Sequence, residues 1–308
     1  MFRFRLIHLS LPLLVAGILI APLLSQQTPP PGAPPQAGRG GRGAGRGPQR
    51  PARKQLLAIG DNHTGFQHES TSHALAVIER IGYESGAYDT TIKTDTQLVT
   101  KGDVSMATAS KRSNAHNIDW YDAVFYYGAG EDSLTDKQKA DLLAFIHDDG
   151  KGFVGAHNAL NSFYTWPEYG EMIGAYFDNH PWGTFDAPII VEDPAFPAMK
   201  AFPREFVLKD EIFEPKMPYS RDKVRVLARL DVSKLDFTRE GINRKDKDFP
   251  VAWAKMYGKG RVFYSTFGHT NESWDNPEVQ KMWLEAIKWS MGMTDADVTP
   301  RPLPADAK

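Results

Sequence analysis

The chain has 308 residues, 41% of them hydrophobic, which is enough for one sizeable core. It has no cysteine, so disulfides, thiolate metal sites and a cysteine nucleophile are excluded. Its net charge of −2 hides an asymmetry: residues 1–54 hold 8 of the 36 Lys and Arg and none of the 38 Asp and Glu. The remainder, with 28 basic against 38 acidic residues, carries −10. Such a surface repels phosphate backbones, and no nucleic acid is expected to bind the folded part.

Residues 1–25 begin with two arginines, Arg3 and Arg5, and continue as an apolar run from Leu6 to Leu24. A basic start before an apolar stretch reads as a signal peptide or an uncleaved N-terminal anchor. The expectation is an exported protein, periplasmic or extracellular, touching a membrane only through residues 1–25 if they are retained. Residues 26–54 are rich in Pro and Gly, with arginines at 39, 42, 46, 50 and 53, and show no hydrophobic period. They read as a disordered tether, too poor in apolar surface to offset the entropy of ordering.

From residue 54 onward short apolar runs alternate with helical patterns, and residues 55–292 are expected to form one domain, followed by a tail over 293–308. Residues 54–60 read as a buried strand. Ala74, Val77, Ile78 and Ile81 recur at helical spacing within 70–81, and 122–127 is a second strand. Thr135 and Gln138 form a capping box that starts a helix, and Gly150 closes it. Residues 152–156, 188–191, 224–230, 251–255 and 261–265 are further strands. Asn276 and Pro277 open the last helix as cap and first residue, with Val279, Met282, Trp283, Ala286 and Ile287 on its buried face. Strand–helix–strand alternation predicts an α/β fold, a doubly wound, mostly parallel sheet with helices on both faces. Residues 160–250, richer in Pro and aromatics, are expected to be insertions and loops packed over the sheet.

Ligands of open parallel sheets bind beyond the carboxyl ends of the strands. His63 and His68 follow the first predicted strand, His157 the strand 152–156, and His269 the strand 261–265; His180 lies in a Pro-flanked loop. Histidine can serve as acid, base or metal ligand, so His63, His157, His180 and His269 are candidates for a divalent metal. Gly155 to Ala159 has the small-residue pattern of a strand–turn–helix elbow, the place of a hydrolase nucleophile. Histidine stands there instead of Ser or Cys, so a base, an oxyanion donor or a metal ligand is expected in place of acyl transfer. Asp210 and Glu211 can add acid/base function, but neighbours in a strand point to opposite faces, so at most one faces a site. The catalytic candidates are thus His157, His269, Asp210 and Glu211. Asn158, Asn161, His68 and His180 can orient hydroxyls. Among the aromatics Phe66, Tyr164, Trp166, Trp182, Trp253 and Trp274, the loop candidates Trp166 and Trp274 suit stacking on a sugar ring, whereas Trp253 fits a core equally well. No Gly-rich phosphate loop is present, and no nucleotide cofactor is expected.

Taken together these stretches resemble the ThuA-like (trehalose-utilisation) family. Gly65-Phe-Gln-His-Glu-Ser70 resembles its early G-F-R-H-[ED]-S element, with Gln67 departing from Arg. Tyr121 to Gln138 and Gly152 to Ala159 are similar to its central strand–helix–strand block. His180-Pro181, Asp210-Glu211, Pro250 to Trp253, Gly258 to Tyr264 and Gly268-His269 match later elements. The resemblance implies a flavodoxin-like sheet related to class I glutamine amidotransferases, without glutaminase activity because His157 occupies the elbow. It also implies use of trehalose or related sugars, through 3-keto derivatives among others. Two function classes follow: an enzyme acting on a sugar or keto-sugar by histidine acid/base or metal-assisted chemistry, or a non-catalytic carbohydrate-binding module on the same fold.

Overall fold

The computed structural model describes residues 53–61, 63–104 and 115–304. The leader and nearly all of the tether expected over residues 1–54 lie outside that range. Among the described residues no helix is long and apolar enough to cross a membrane.

The elements in chain order are β1 (Lys54–Ile59), α1 (Thr71–Ser85), β2 (Tyr88–Lys93), β3 (Ala123–Tyr126), α2 (Asp136–His147), β4 (Gly152–Ala156), α3 (Pro167–Ile173), β5 (Tyr176–Asn179), β6 (Thr184–Val191), β7 (Glu205–Glu211), β8 (Glu214–Lys216), β9 (Arg225–Leu230), β10 (Pro250–Tyr257), β11 (Gly260–Ser265), α4 (Asn271–Asp275) and α5 (Pro277–Ser290). Nine strands form one sheet in the order β2-β1-β3-β4-β11-β10-β9-β6-β7, and β5 pairs with β8 in a small separate ribbon. The first five positions are parallel, as β1 pairs with β2 and β3, and β4 with β3 and β11. This is the doubly wound, flavodoxin-like α/β arrangement that the alternation predicts.

Strand alternation sorts the core. In β1, Leu56 and Ala58 pack on one face while Leu57 and Ile59 pack on the other; in β3, Ala123 and Phe125 oppose Val124 and Tyr126. The first face is covered by α1 and α5 through Ala74, Ile78, Met282 and Trp283. The second is covered by α2 and α3 through Phe145, Ile146, Tyr169 and Ile173. Both predicted helix starts hold: Thr135 and Gln138 make the capping box of α2, and the Asn276 side chain accepts from the amides of Glu278 and Val279 at α5.

The fold departs from expectation in its second half. From β11 outward every pairing, through β10, β9, β6 and β7, is antiparallel. Residues 160–250 therefore extend the sheet through β6, β7 and β9 as well as covering it. A strand carries the same signature in parallel and antiparallel pairs, so strand detection alone does not reveal the direction. Four successive reversals also bring the end of β7 to the same edge as the ends of β4 and β11. The antiparallel half is tied by a buried ion network. Arg221 Nε and Nη2 donate to Asp248 at 2.9 and 2.8 Å, Nη1 and Nη2 donate to both oxygens of Glu192 at 2.8 Å, and Tyr219 Oη donates to Asp248 at 2.7 Å. Trp253 belongs to the core, donating its indole N–H to the Ile173 carbonyl at 2.8 Å. The described part of the expected tail is docked on the domain, because the Thr294 and Thr299 carbonyls accept from Arg261 and Arg225.

Candidate functional site

At the carboxyl edge of β4 the chain turns sharply. His157 adopts φ 38°, a left-handed conformation uncommon for a residue with a Cβ, and begins a 3₁₀ turn. Such strain persists only where the surroundings enforce it. Here the His157 carbonyl accepts from Tyr264 Oη at 2.8 Å, and its Nδ1 lies 2.6 Å from the Thr266 carbonyl oxygen. A carbonyl can only accept, so Nδ1 carries a proton and Nε2 is left facing inward.

What Nε2 faces is a group drawn from four separate chain segments. His269 Nδ1 is 3.3 Å away and Glu211 Oε2 is 3.6 Å away, while His269 and Glu211 stand 3.2 Å from each other. His68 completes the group, its ring edge-on to both His157 and His269 at 4.8 and 4.9 Å between centroids. One potential ligand atom from each of His68, His157, Glu211 and His269 falls within 4.8 Å of the others. On the far side His180 Nδ1 lies 3.5 Å from Glu211 Oε1.

The group's electrostatics follow from burial and mutual pairing. Burial pushes the His68 imidazole down to about 3, and the neighbouring His157 and His269 add to the fall. Burial alone would raise the Glu211 carboxyl, but its pairing with His157 and His269 outweighs this and holds it well below the usual carboxylate range. His269 is raised, chiefly by its hydrogen bond to Glu211.

Asp210 does not face this group, and its place among the catalytic candidates is corrected. It is fully buried, and its Oδ1 accepts from the amides of His269 and Glu211, each at 3.0 Å. Its Oδ2 accepts from the Gly268 amide at 2.8 Å and from Ser273 Oγ at 2.6 Å. Alternation along β7 sends Asp210 to one face and Glu211 to the other, so Asp210 holds the loop that carries His269. Gly268 is required in that loop: its φ is +117°, and a Cβ there would fall 2.6 Å from the Trp274 ring. Its carbonyl accepts from Tyr127 Oη and Trp274 Nε1 at 2.8 Å and from Ser70 Oγ at 3.0 Å.

Other sequence-predicted residues lie elsewhere. His63 is exposed in the β1–α1 loop and stands outside the group. Trp166 packs on Phe163 and Tyr169, and Trp274 is fully buried against Trp283. Neither can stack on a sugar, because burying so large an apolar surface in the core outweighs the loop position read from sequence. Asn158 uses its Nδ2 to hold the Phe66 carbonyl at 3.0 Å, and Asn161 accepts from Tyr164 Oη at 2.9 Å. Sequence reasoning missed Tyr127, Thr266 and Ser273 as supports. Tyr127 follows β3 directly, which was the available signal.

The group opens on a cleft of about 460 Å³ lined by Phe66, Gln67, His68, Glu69, Ser70, His269, Thr270, Asn271 and Glu272. That size lies within the roughly 300–1,000 Å³ of small-molecule sites. The lining is mainly polar, and the aromatic at its mouth is Phe66, 64% exposed.

A family model described as ThuA, trehalose utilisation, matches residues 57–290. Among solved structures the chain is similar to a ThuA-like protein from Parabacteroides merdae, with 20% identity and a TM-score of 0.59 over 83% of this chain and 94% of that one. It is also similar to a ThuA-like protein from Bacteroides uniformis, with 19% identity and a TM-score of 0.62 over 80% and 94%. At such identities the likeness is one of fold. No curated protein matches the chain by sequence.

Proposed function

Because the chain belongs to the ThuA trehalose-utilisation family, we propose that it is an enzyme of carbohydrate metabolism whose substrate is a sugar or keto-sugar of the trehalose type. The observation that supports this is the His157–Glu211–His269 group, with His157 and Glu211 buried and His269 half-buried, opening on a polar cleft at the carboxyl edge of the sheet. Polar side chains of the cleft suit hydroxyls, and Phe66 offers a face to a ring's C–H edge. A substrate hydroxyl, or a carbon acid beside a keto group, gives its proton to the group, and a developing oxyanion is met by its positive side. His157 is suited to this because its backbone is fixed by β4 and its tautomer by Thr266. Glutaminase chemistry has no nucleophile here, since the elbow holds His157 and the chain has no cysteine. Residues 1–25 support action outside the cytoplasm, and fractionation of a C-terminally tagged chain tests that.

The test of the activity is a turnover panel of trehalose, other disaccharides and their keto derivatives with the full chain and with His157→Asn. Turnover of at least one sugar, lost in the variant, supports the reading. Absence of turnover across the panel, or a variant as active as the parent, overturns it. Binding without turnover would instead identify a carbohydrate-binding module.

A further inference from the structure

We propose that His68, His157, His269 and Glu211 form a binding site for one divalent first-row transition ion of the zinc type. The inference rests on the carbohydrate reading only for the ion's use, not for its existence.

The ligand atoms are spaced as a zinc ion requires. Zinc takes nitrogen and carboxylate ligands at roughly 2.0–2.2 Å in tetrahedral geometry, which sets neighbouring ligand atoms about 3.3–3.6 Å apart. The three separations among His157 Nε2, His269 Nδ1 and Glu211 Oε2 are 3.2, 3.3 and 3.6 Å. His157 is also held in one tautomer. Its Nδ1 proton is committed to the Thr266 carbonyl, so its neutral form aims a lone pair at the Glu211 carboxylate. A lone pair on Nε2 and a carboxylate oxygen at that separation can share a cation placed between them. A third, independent observation comes from His68, which is 94% buried by its 6% exposure, yet whose Nδ1 has no hydrogen-bond partner. An unpaired buried imidazole nitrogen costs free energy unless something ligates it.

The surroundings match those of metal sites. Ligating histidines characteristically donate their other N–H to a carbonyl or carboxylate, as His157 does. The His269 backbone is fixed by Asp210, and the second Glu211 oxygen is approached by His180. Three imidazoles and one carboxylate select zinc, cobalt, iron or nickel over magnesium and calcium, which prefer all-oxygen shells. His68 and His269 also line the cleft, so a substrate oxygen can reach the ion as an added ligand.

The experiment uses the full chain, stripped with a chelator and dialysed, then titrated with Zn²⁺ by calorimetry and with Co²⁺ by visible absorption. One ion per chain is expected, with cobalt bands of a low-symmetry nitrogen and oxygen site and a thermal midpoint raised by Zn²⁺. His157→Asn and Glu211→Gln should each weaken binding by on the order of 100-fold or more. Should His157→Asn fail to fold, His269→Asn, at a partly exposed position, carries the same expectation. Less than stoichiometric binding, unchanged affinity in the folded variants, or Mg²⁺ binding as tightly as Zn²⁺ would overturn the inference. The two proposals fail separately: sugar turnover by a chain that takes up no stoichiometric Zn²⁺ removes the ion and keeps the enzyme, whereas stoichiometric Zn²⁺ with no turnover across the panel removes the enzyme and keeps the ion.

Discussion

The Nδ1 of His157 lies 2.6 Å from the carbonyl oxygen of Thr266, so the residue just past β11 decides which nitrogen of the histidine just past β4 is free. The two strands are parallel neighbours, with Ser265 in register with Ala156. The tautomer is therefore fixed by sheet pairing and not by a flexible side chain. Replacing His157 removes the group's central nitrogen. His157→Asn, in which Asn tolerates the left-handed backbone, should lower turnover on the order of 10²–10⁴-fold. Parallel melts should show a small loss of thermal stability, because the strand beneath is unaffected. A large fall in melting temperature with turnover intact would assign His157 to the turn alone.

Asp210 should behave differently. Its four acceptor positions are filled by the amides of Glu211, Gly268 and His269 and by the Ser273 hydroxyl. In Asp210→Asn a donor nitrogen replaces one oxygen and faces two donors. The expected cost is about 1–3 kcal/mol of stability, together with a shifted His269. Chemical denaturation reads the first effect, and a 10–100-fold drop in Zn²⁺ affinity reads the second.

Phe66 tests the cleft from its mouth, where its ring stands edge-on to His68 at 4.8 Å between centroids. The ring is largely exposed, so Phe66→Ala should leave the melting temperature within experimental error. Loss of one aromatic contact worth about 1 kcal/mol should raise KM by roughly five-fold and leave kcat unchanged. A drop in kcat with KM constant would place the sugar elsewhere.

Arg221 tests the antiparallel half. Arg221→Met takes the guanidinium from the buried Asp248 and leaves Glu192 paired with Arg229 alone, and should cost about 3 kcal/mol in a denaturant titration. Zn²⁺ stoichiometry in the folded fraction should remain unchanged, since none of these groups belongs to the His–Glu group. A loss below about 1 kcal/mol would mean that the network contributes little.

The parallel half of the sheet was legible because each of its core strands is a short apolar run followed by loop residues, and its helices carry explicit caps at Thr135 and Asn276. The edge strand β2 was not, because the exposed and half-exposed residues among Asp89 to Lys93 lack a buried strand's apolar run. His157 and His269 could be placed from the strand-end rule alone. The pairing of Glu211 with them could not, since it depends on antiparallel reversals that return β7 to the same edge and on Phe213 folding back to Thr266, where its amide donates at 2.9 Å. Trp166 and Trp274 misled because a loop position in sequence says nothing about which way a large ring turns.

The four side chains of the group stand at positions 68, 157, 211 and 269, on segments that touch only when distant strands have paired. Closing chain segments this far apart carries a loop entropy that local structure cannot offset in advance, and folds dominated by such contacts form slowly. An intermediate containing only β1 to β4 with α1 and α2 would hold two of the histidines and neither Glu211 nor His269. A probe that senses the assembled group during refolding should therefore recover with the slowest step, after helical signal has returned.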